Sequence, residues 1–153
     1  MARRHVVVAG NGMVGQRFVE RLVANDVDET LDVTVIGEEP RPAYDRVALS
    51  SWFEGRSEAE LSLVDPAFAD SGRVDYRFGR RVERLDVDGH CVHLDDDTTV
   101  AYDELVLATG SYPFVPPIDG HDLPGAFVYR TIDDLVDIKN WATSGSCRSG
   151  LVI

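Results

Sequence analysis

An α/β fold built on a parallel sheet is what this sequence predicts, and three observations carry it. A short apolar run stops at glycine and hands over to helical periodicity. A β-branched run follows that helix, and later come short alternating segments punctuated by aspartate and glycine turns. The first two features make a β-α-β unit, whose strands pair in parallel through a right-handed crossover because strand twist lets the helix pack back on the sheet only in that hand. The third adds an antiparallel three-stranded meander on one face of the sheet.

The elements are justified in chain order. Residues 5–9 read as a strand buried on both faces. From Met13, Val14, Phe18 and Leu22, with Val19 and Val23 beside them, recur at helical spacing and are expected to face the sheet, while Gln16, Arg17, Glu20 and Arg21 fill the other face. That helix is expected to fray at Asn25 and Asp26. Val33, Thr34, Val35 and Ile36 mark a second buried strand. Residues 37–56 show no sustained period, and a loop this long within a domain is usually functional. Ser57 with Glu60 fits a capping box ahead of a short helix, and Asp65-Pro66 opens another that Gly72 closes. A third parallel strand is expected at residues 74–78. The meander follows at 82–87, 91–94 and 98–102, and a fully buried strand at 105–108. A proline-rich crossing loop then leads to a helix over about residues 132–141. Residues 150–153 read as the opening of a further strand, cut off in mid-element.

At 153 residues and 44% apolar content the chain can bury one core, and one domain is expected. With 27 acidic against 15 basic residues the formal charge is −12, which repels phosphate backbones and anionic lipid and argues against nucleic acid and membrane partners. No apolar run approaches the ~20 residues of a membrane helix, and no secretory leader is evident, so a cytoplasmic location is expected. Cys91 and Cys147 lie far apart and read as reduced structural thiols. The histidines, His5, His90, His93 and His121, show no ligand spacing. No catalytic residue and no metal set is assigned.

The chemistry lies at Gly10-Asn11-Gly12-Met13-Val14-Gly15, which matches G-x-G-x-x-G after a strand and at the opening of a helix. Gly10 makes the tight turn, Gly12 lets the backbone approach a pyrophosphate, and Gly15 lets helix and strand pack closely. The helix N-terminus adds unpaired N–H groups and the positive end of its dipole. The ribose partner of such a motif is an acid some 20 residues on, at the end of the second strand, where Glu38 and Glu39 stand.

A meander followed by a strand ending in Ala108-Thr109-Gly110 resembles the second fingerprint of the flavoproteins with two dinucleotide-binding domains, the FAD-dependent pyridine nucleotide-disulfide oxidoreductase superfamily. The resemblance implies a Rossmann-like, glutathione-reductase-like (ββα) FAD-binding domain, with the first G-x-G-x-x-G on FAD and the sheet in the order 74–78, 33–36, 5–9, 105–108. The loop Glu38-Glu39-Pro40-Arg41-Pro42-Ala43-Tyr44-Asp45-Arg46 looks like that of the ferredoxin-reductase branch, in which the residue matching Arg46 contacts the flavin dinucleotide. Ser51 stands where that branch commonly has lysine. The runs from Tyr44 to Phe53, Ala59 to Val64, Ala108 to Ile118 and Phe127 to Leu135 are more similar to the large subunit of assimilatory nitrite reductase. By this resemblance Val82 offers its backbone to the adenine and Arg130 lies near the flavin; separately, the aromatic rings of Tyr44 and Tyr112 are candidates to line the cofactor, although packing beneath a long loop is the commoner role of such residues.

The resemblance also implies a truncated FAD-binding domain over residues 1–149, without its C-terminal return segment, and the first strand of an NAD(P)H-binding domain at 150–153. NAD(P)H, an iron–sulfur cluster and siroheme are implied only for the remainder of the reductase chain. That remainder and a small subunit are the implied protein partners, and an open sheet edge offers a route to self-association. On this reading the fragment alone binds FAD weakly and reduces no nitrite. Two other readings stay open: a stand-alone ferredoxin- or rubredoxin-type NAD(P)H reductase, and a non-catalytic module that senses an adenine dinucleotide. A visible spectrum separates the last, since only bound FAD is yellow.

Overall fold

Strands β1 (Arg4–Ala9), β2 (Leu31–Gly37), β3 (Val74–Phe78) and β7 (Glu104–Leu107) form a four-stranded sheet in the order β3-β2-β1-β7, with every pairing parallel. Between the last two in sequence, β4 (Val82–Asp86), β5 (Cys91–Leu94) and β6 (Thr99–Ala101) make an antiparallel sheet in the order β4-β5-β6. The predicted order and the meander are both found. This computed structural model describes residues 2–145 and 147–153. Its residues group into two units, Met1–Asp45 with Ser62–Gly110, and Arg46–Leu61 with Ser111–Ile153.

Strand alternation divides the core of the first unit. Val6, Val8, Val33, Val35 and Val74 cluster with Val19 of helix α1 (Met13–Asn25), whereas Val7 and Ile36 cluster with Val92, Leu94 and Val100 of the meander. Because successive side chains point to opposite faces, α1 and the meander cover opposite sides of the same sheet.

The buried face of α1 follows its apolar periodicity at Val19, Leu22 and Val23, which pack on the sheet core, and departs from it at Val14 and Phe18. Val14 is 74% exposed and Phe18 is also exposed, while Gly15, Gln16 and Val19 are buried. The reason is steric. A Cβ on Gly15 would lie 2.2 Å from the Gly10 carbonyl oxygen, so the helix makes its closest approach at Gly15 and the column through Gly15 and Val19 turns inward. Gln16 is carried in with them. Its Oε1 accepts from the Tyr76 hydroxyl at 3.0 Å and its Nε2 donates to Glu20 at 3.2 Å, so the buried amide is satisfied at both ends. Burial pushes the Tyr76 phenol above its ordinary range; the bond to Gln16 opposes this and the charge of Glu20 adds to it.

Asp26 does not fray. It is buried, and its carboxylate accepts from the backbone N–H and hydroxyl of Thr30, both at 2.8 Å, from the Leu31 N–H at 3.1 Å and from Arg73 at 3.0 Å. It thereby fastens the end of α1 to the start of β2 and to the approach to β3. Burial works to raise its pKa, but the Thr30 and Leu31 hydrogen bonds and the Arg73 charge prevail and hold it below the usual carboxylate range. A carboxylate depressed in the folded state contributes stability in full above its unfolded pKa of ~3.9, and that contribution fades as pH falls through the folded value. Asp26→Asn is therefore expected to lower the urea midpoint at pH 7, with the difference from the parent shrinking as the pH approaches 3. A pH-independent difference would show that ionisation of Asp26 plays no part.

β7 is the other departure. Among the described residues it pairs only with β1, and Leu107 is 63% exposed, so it is an edge strand and not one buried on both faces. Both predicted caps form: Ser57 and Glu60 bond reciprocally ahead of α2 (Glu58–Leu61), and Asp65 accepts from the Ala67 N–H at the start of α3 (Pro66–Ala69). A 3-10 turn at Leu49–Trp52 interrupts the stretch read as an aperiodic loop.

The second unit holds that turn, α2 and helix α4 (Ile132–Thr143), which Thr131 and Asp134 close with a capping box. Ile132 and Leu135 are fully buried there. Phe53 stacks on Tyr129, Trp52 packs edge-on to Phe53, and Lys139 lies over the Trp52 ring at 5.0 Å. Leu151, Val152 and Ile153 belong to no strand. No helix among the described residues is long and apolar enough to cross a membrane.

Candidate functional site

The glycine motif occupies the turn between β1 and α1, and its three glycines meet three different surroundings. Gly10 has φ +116°, and a Cβ there would lie 2.2 Å from the Ala108 carbonyl oxygen and 2.9 Å from the Thr109 nitrogen. Ala108 and the Thr109 nitrogen therefore press directly on the first turn, and the Ala108 N–H donates to the Ala9 carbonyl at 2.8 Å. The two fingerprints that the sequence places nearly a hundred residues apart are in van der Waals contact. Gly15 closes the turn from the helix side against Gly10. Gly12 differs from both, since a Cβ there would meet nothing within 4 Å.

Gly12 is also the N-cap of α1, and no side chain caps that helix. The first-turn N–H groups of a helix have no intrahelical partners, so this end presents donors and a positive dipole end to an open space. Asn11 stands beside it. Its Nδ2 donates to the Arg41 carbonyl at 3.3 Å, and its Oδ1 is buried without a hydrogen-bond partner. Met13 is half-buried and Val14 exposed at the start of the helix. An uncapped helix end, a glycine with no Cβ in the way and an unsatisfied acceptor together suit a diphosphate-bearing ligand with hydroxyl donors.

Past the end of β2, Glu38 and Glu39 part company. The Tyr44 hydroxyl donates to Glu39 at 2.7 Å, and Arg41 lies 3.6 Å from the same oxygen, which commits Glu39 to the loop. Glu38 is exposed, with Arg81 at 3.8 Å. Tyr44, a candidate to line the cofactor, is itself buried. Val82 opens β4 opposite Leu94 and packs against the meander core.

Arg46 and Arg130 belong to the second unit. Arg46 donates to the Arg130 carbonyl at 3.0 Å, the Arg130 N–H donates to Asp134 at 3.0 Å, and its guanidinium reaches Ser111 Oγ at 3.5 Å. The two arginines are thus joined through one backbone oxygen and anchored at the start of α4. Tyr112, in the same unit, is largely exposed.

Two features escaped the sequence reading. Gly37 ends β2, and a Cβ there would lie 2.6 Å from the Asn11 Cβ, so this glycine seats the motif's asparagine; a glycine closing a β-branched run was the available signal. His93, read as lacking ligand spacing, stands two residues from Cys91 on β5, and its Nε2 is 3.7 Å from the Cys91 sulfur. Alternate residues of a strand share a face, which is the signal that was passed over.

Residues 4–149 match the family described as pyridine nucleotide-disulphide oxidoreductase. The chain is 44% identical over 142 residues to the nitrite reductase (NADH) large subunit of Escherichia coli (strain K12), covering 93% of this chain and 17% of that protein. It is 42% identical over 153 residues to the nitrite reductase [NAD(P)H] large subunit of Klebsiella oxytoca, covering 100% of this chain and 16% of that one. Among solved structures, the covalent putidaredoxin reductase–putidaredoxin complex superposes with a TM-score of 0.80 at 25% identity, over 92% of this chain and 34% of that chain. The chain thus spans about a sixth of the length of the nitrite reductase subunits it resembles.

Proposed function

The chain belongs to the pyridine nucleotide-disulphide oxidoreductase family, and from that membership we propose that it is the FAD-binding part of an NAD(P)H-dependent nitrite reductase large subunit. The observation that carries FAD binding is the open, uncapped start of α1 at Gly12, held in place by Gly10 and Gly15. The similarity to two nitrite reductase large subunits at 44% and 42% identity supports the finer reading.

When bound, FAD supplies a carrier that takes a two-electron hydride from NAD(P)H and releases single electrons toward iron–sulfur and siroheme centres. The residues of this chain bind and orient. The N–H groups at the start of α1 hold the diphosphate, and Asn11 Oδ1 accepts from a hydroxyl of the ligand. Glu38, directly past the end of β2, accepts from the adenosine ribose. Val82 offers its backbone to the adenine, and Ala108, Thr109 and Gly110 close the turn from the side of β7. Arg46 and Arg130 are carried as cofactor contacts by the sequence resemblance, their guanidinium groups suited to a diphosphate or a flavin ring.

Replacing Glu38 with alanine removes hydrogen bonds to a charged acceptor, each worth ~1.5–3 kcal/mol, so FAD is expected to bind at least ten-fold weaker while the fold persists. Fluorescence titration with FAD checks it, and unchanged affinity in a folded variant would remove Glu38 from the site.

The reading as a whole is tested by the absorption spectrum of the protein after addition of FAD, and by nitrite-dependent NAD(P)H oxidation in the whole reductase. The superposition on putidaredoxin reductase favours a second reading, an electron-carrier reductase. Turnover with a ferredoxin-type acceptor and none with nitrite would select it.

A further inference from the structure

On the meander, Asp86, Cys91 and His93 bring one oxygen, one sulfur and one nitrogen within 4.8 Å of one another. We propose that this trio is a binding site for a borderline divalent transition-metal ion of the zinc class, independent of the flavin site. The topology creates it. Cys91 and His93 are alternate residues of β5 and share a face, and Asp86 is the residue paired with Cys91 across the β4–β5 ladder. Val92 and Leu94, between and beyond them, point into the core, so the trio lies on the half-exposed outer side of the meander.

The geometry is close to that of a coordinated pair. Bond lengths of ~2.3 Å to sulfur and ~2.0–2.1 Å to nitrogen, at a tetrahedral angle, set the two donors about 3.6 Å apart. The Cys91 Sγ to His93 Nε2 distance is 3.7 Å. The other ring nitrogen, Nδ1, lies 3.0 Å from the Thr99 hydroxyl on β6, so the imidazole is oriented from behind, as metal-bound histidines are. The turn N–H of Gly89 donates to Asp86 Oδ1 at 2.8 Å and fixes the carboxylate. One thiolate and one carboxylate neutralise a dication, and a sulfur–nitrogen–oxygen set suits Zn²⁺ over Mg²⁺ or Ca²⁺. Three protein ligands leave a fourth position for water. Binding converts the Cys91 thiol to a thiolate and releases its proton to solvent, with no change of oxidation state.

The test uses the reduced chain, stripped of metal with a chelator, then titrated with Zn²⁺ against a chromophoric competitor and with Co²⁺ in the spectrophotometer. One equivalent should bind, and Co²⁺ should give a thiolate charge-transfer band with tetrahedral d–d absorption. Cys91→Ser should abolish the band and Cys147→Ser should leave it. Asp86→Asn should weaken binding at least ten-fold, and Thr99→Val ten- to a hundred-fold. If Cys91→Ser folds poorly, protection of Cys91 from alkylation by Zn²⁺ in the parent chain gives the same answer. A thiol–imidazole hydrogen bond only, seen as no stoichiometric binding and no protection, would overturn the proposal, as would a Co²⁺ band that survives Cys91→Ser.

Discussion

Gly10→Ala is expected to destabilise the chain by about 2–6 kcal/mol, a large share of the ~5–15 kcal/mol that holds a typical domain folded. Two costs combine. At φ +116° an L side chain is strained even in empty space, a penalty of ~1–3 kcal/mol. The space is not empty, because the new Cβ would lie 2.2 Å from the Ala108 carbonyl oxygen and 2.4 Å from its carbon. Those atoms are backbone, fixed by the Ala108 N–H to Ala9 bond and by the β1–β7 ladder, so relief requires separating the strands. Overpacking of this kind costs a further ~1–3 kcal/mol. Urea unfolding of parent and variant checks the figure, and a midpoint that does not move would show that the contact between the two fingerprints is not structural.

That contact also marks how far the sequence could be read. The β-α-β opening was legible because G-x-G-x-x-G, a strand and a helical period coincided within the first 36 residues, and local signals of different kinds seldom agree by accident. The meander was legible from Asp88-Gly89 and the aspartates at 95–97, since turn chemistry names its own position. The inward face of α1 was legible from hydrophobicity at Val19, Leu22 and Val23 but not in its first turns. Val14 and Phe18 are more apolar than Gly15 and Gln16, yet the close approach demanded by Gly15 decides which side faces the sheet. Asp26 was misread for a related reason. An aspartate after a helix looks like a solvated end unless one knows that Thr30, Leu31 and Arg73 converge on it, and Arg73 is remote in sequence. Position just past β2 put Glu38 ahead of Glu39 as the ribose partner, but the hydrogen bond from the Tyr44 hydroxyl to Glu39 was not legible, because nothing in the letters joins those two residues.

Gly12→Asp should separate binding from folding, which Gly10→Ala cannot do. Gly12 sits at φ −94°, ψ −172°, extended backbone that any residue adopts, and a Cβ there meets nothing within 4 Å. Aspartate is moreover a favoured N-cap, able to accept from the uncapped N–H groups of the first turn, so the ligand-free variant should be as stable as the parent or a few tenths of a kcal/mol more so. The diphosphate would fare otherwise. The carboxylate would satisfy the donors that the ligand needs, and it would add a like charge: two unit charges about 5 Å apart at an effective dielectric of ~20 repel by about 3 kcal/mol. FAD affinity should fall at least ~100-fold, since each ~1.4 kcal/mol is a factor of ten. Gly12→Asn is the matched control, because it offers the same cap and nearly the same volume without the charge. It should lose less affinity than Gly12→Asp, and the gap between the two should narrow as salt screens the repulsion. Thermal midpoints of the ligand-free proteins and FAD titrations at low and high salt supply the four comparisons. If Gly12→Asp folds normally and binds FAD like the parent, the diphosphate does not sit at the start of α1, and the assignment of this turn as the cofactor cradle fails.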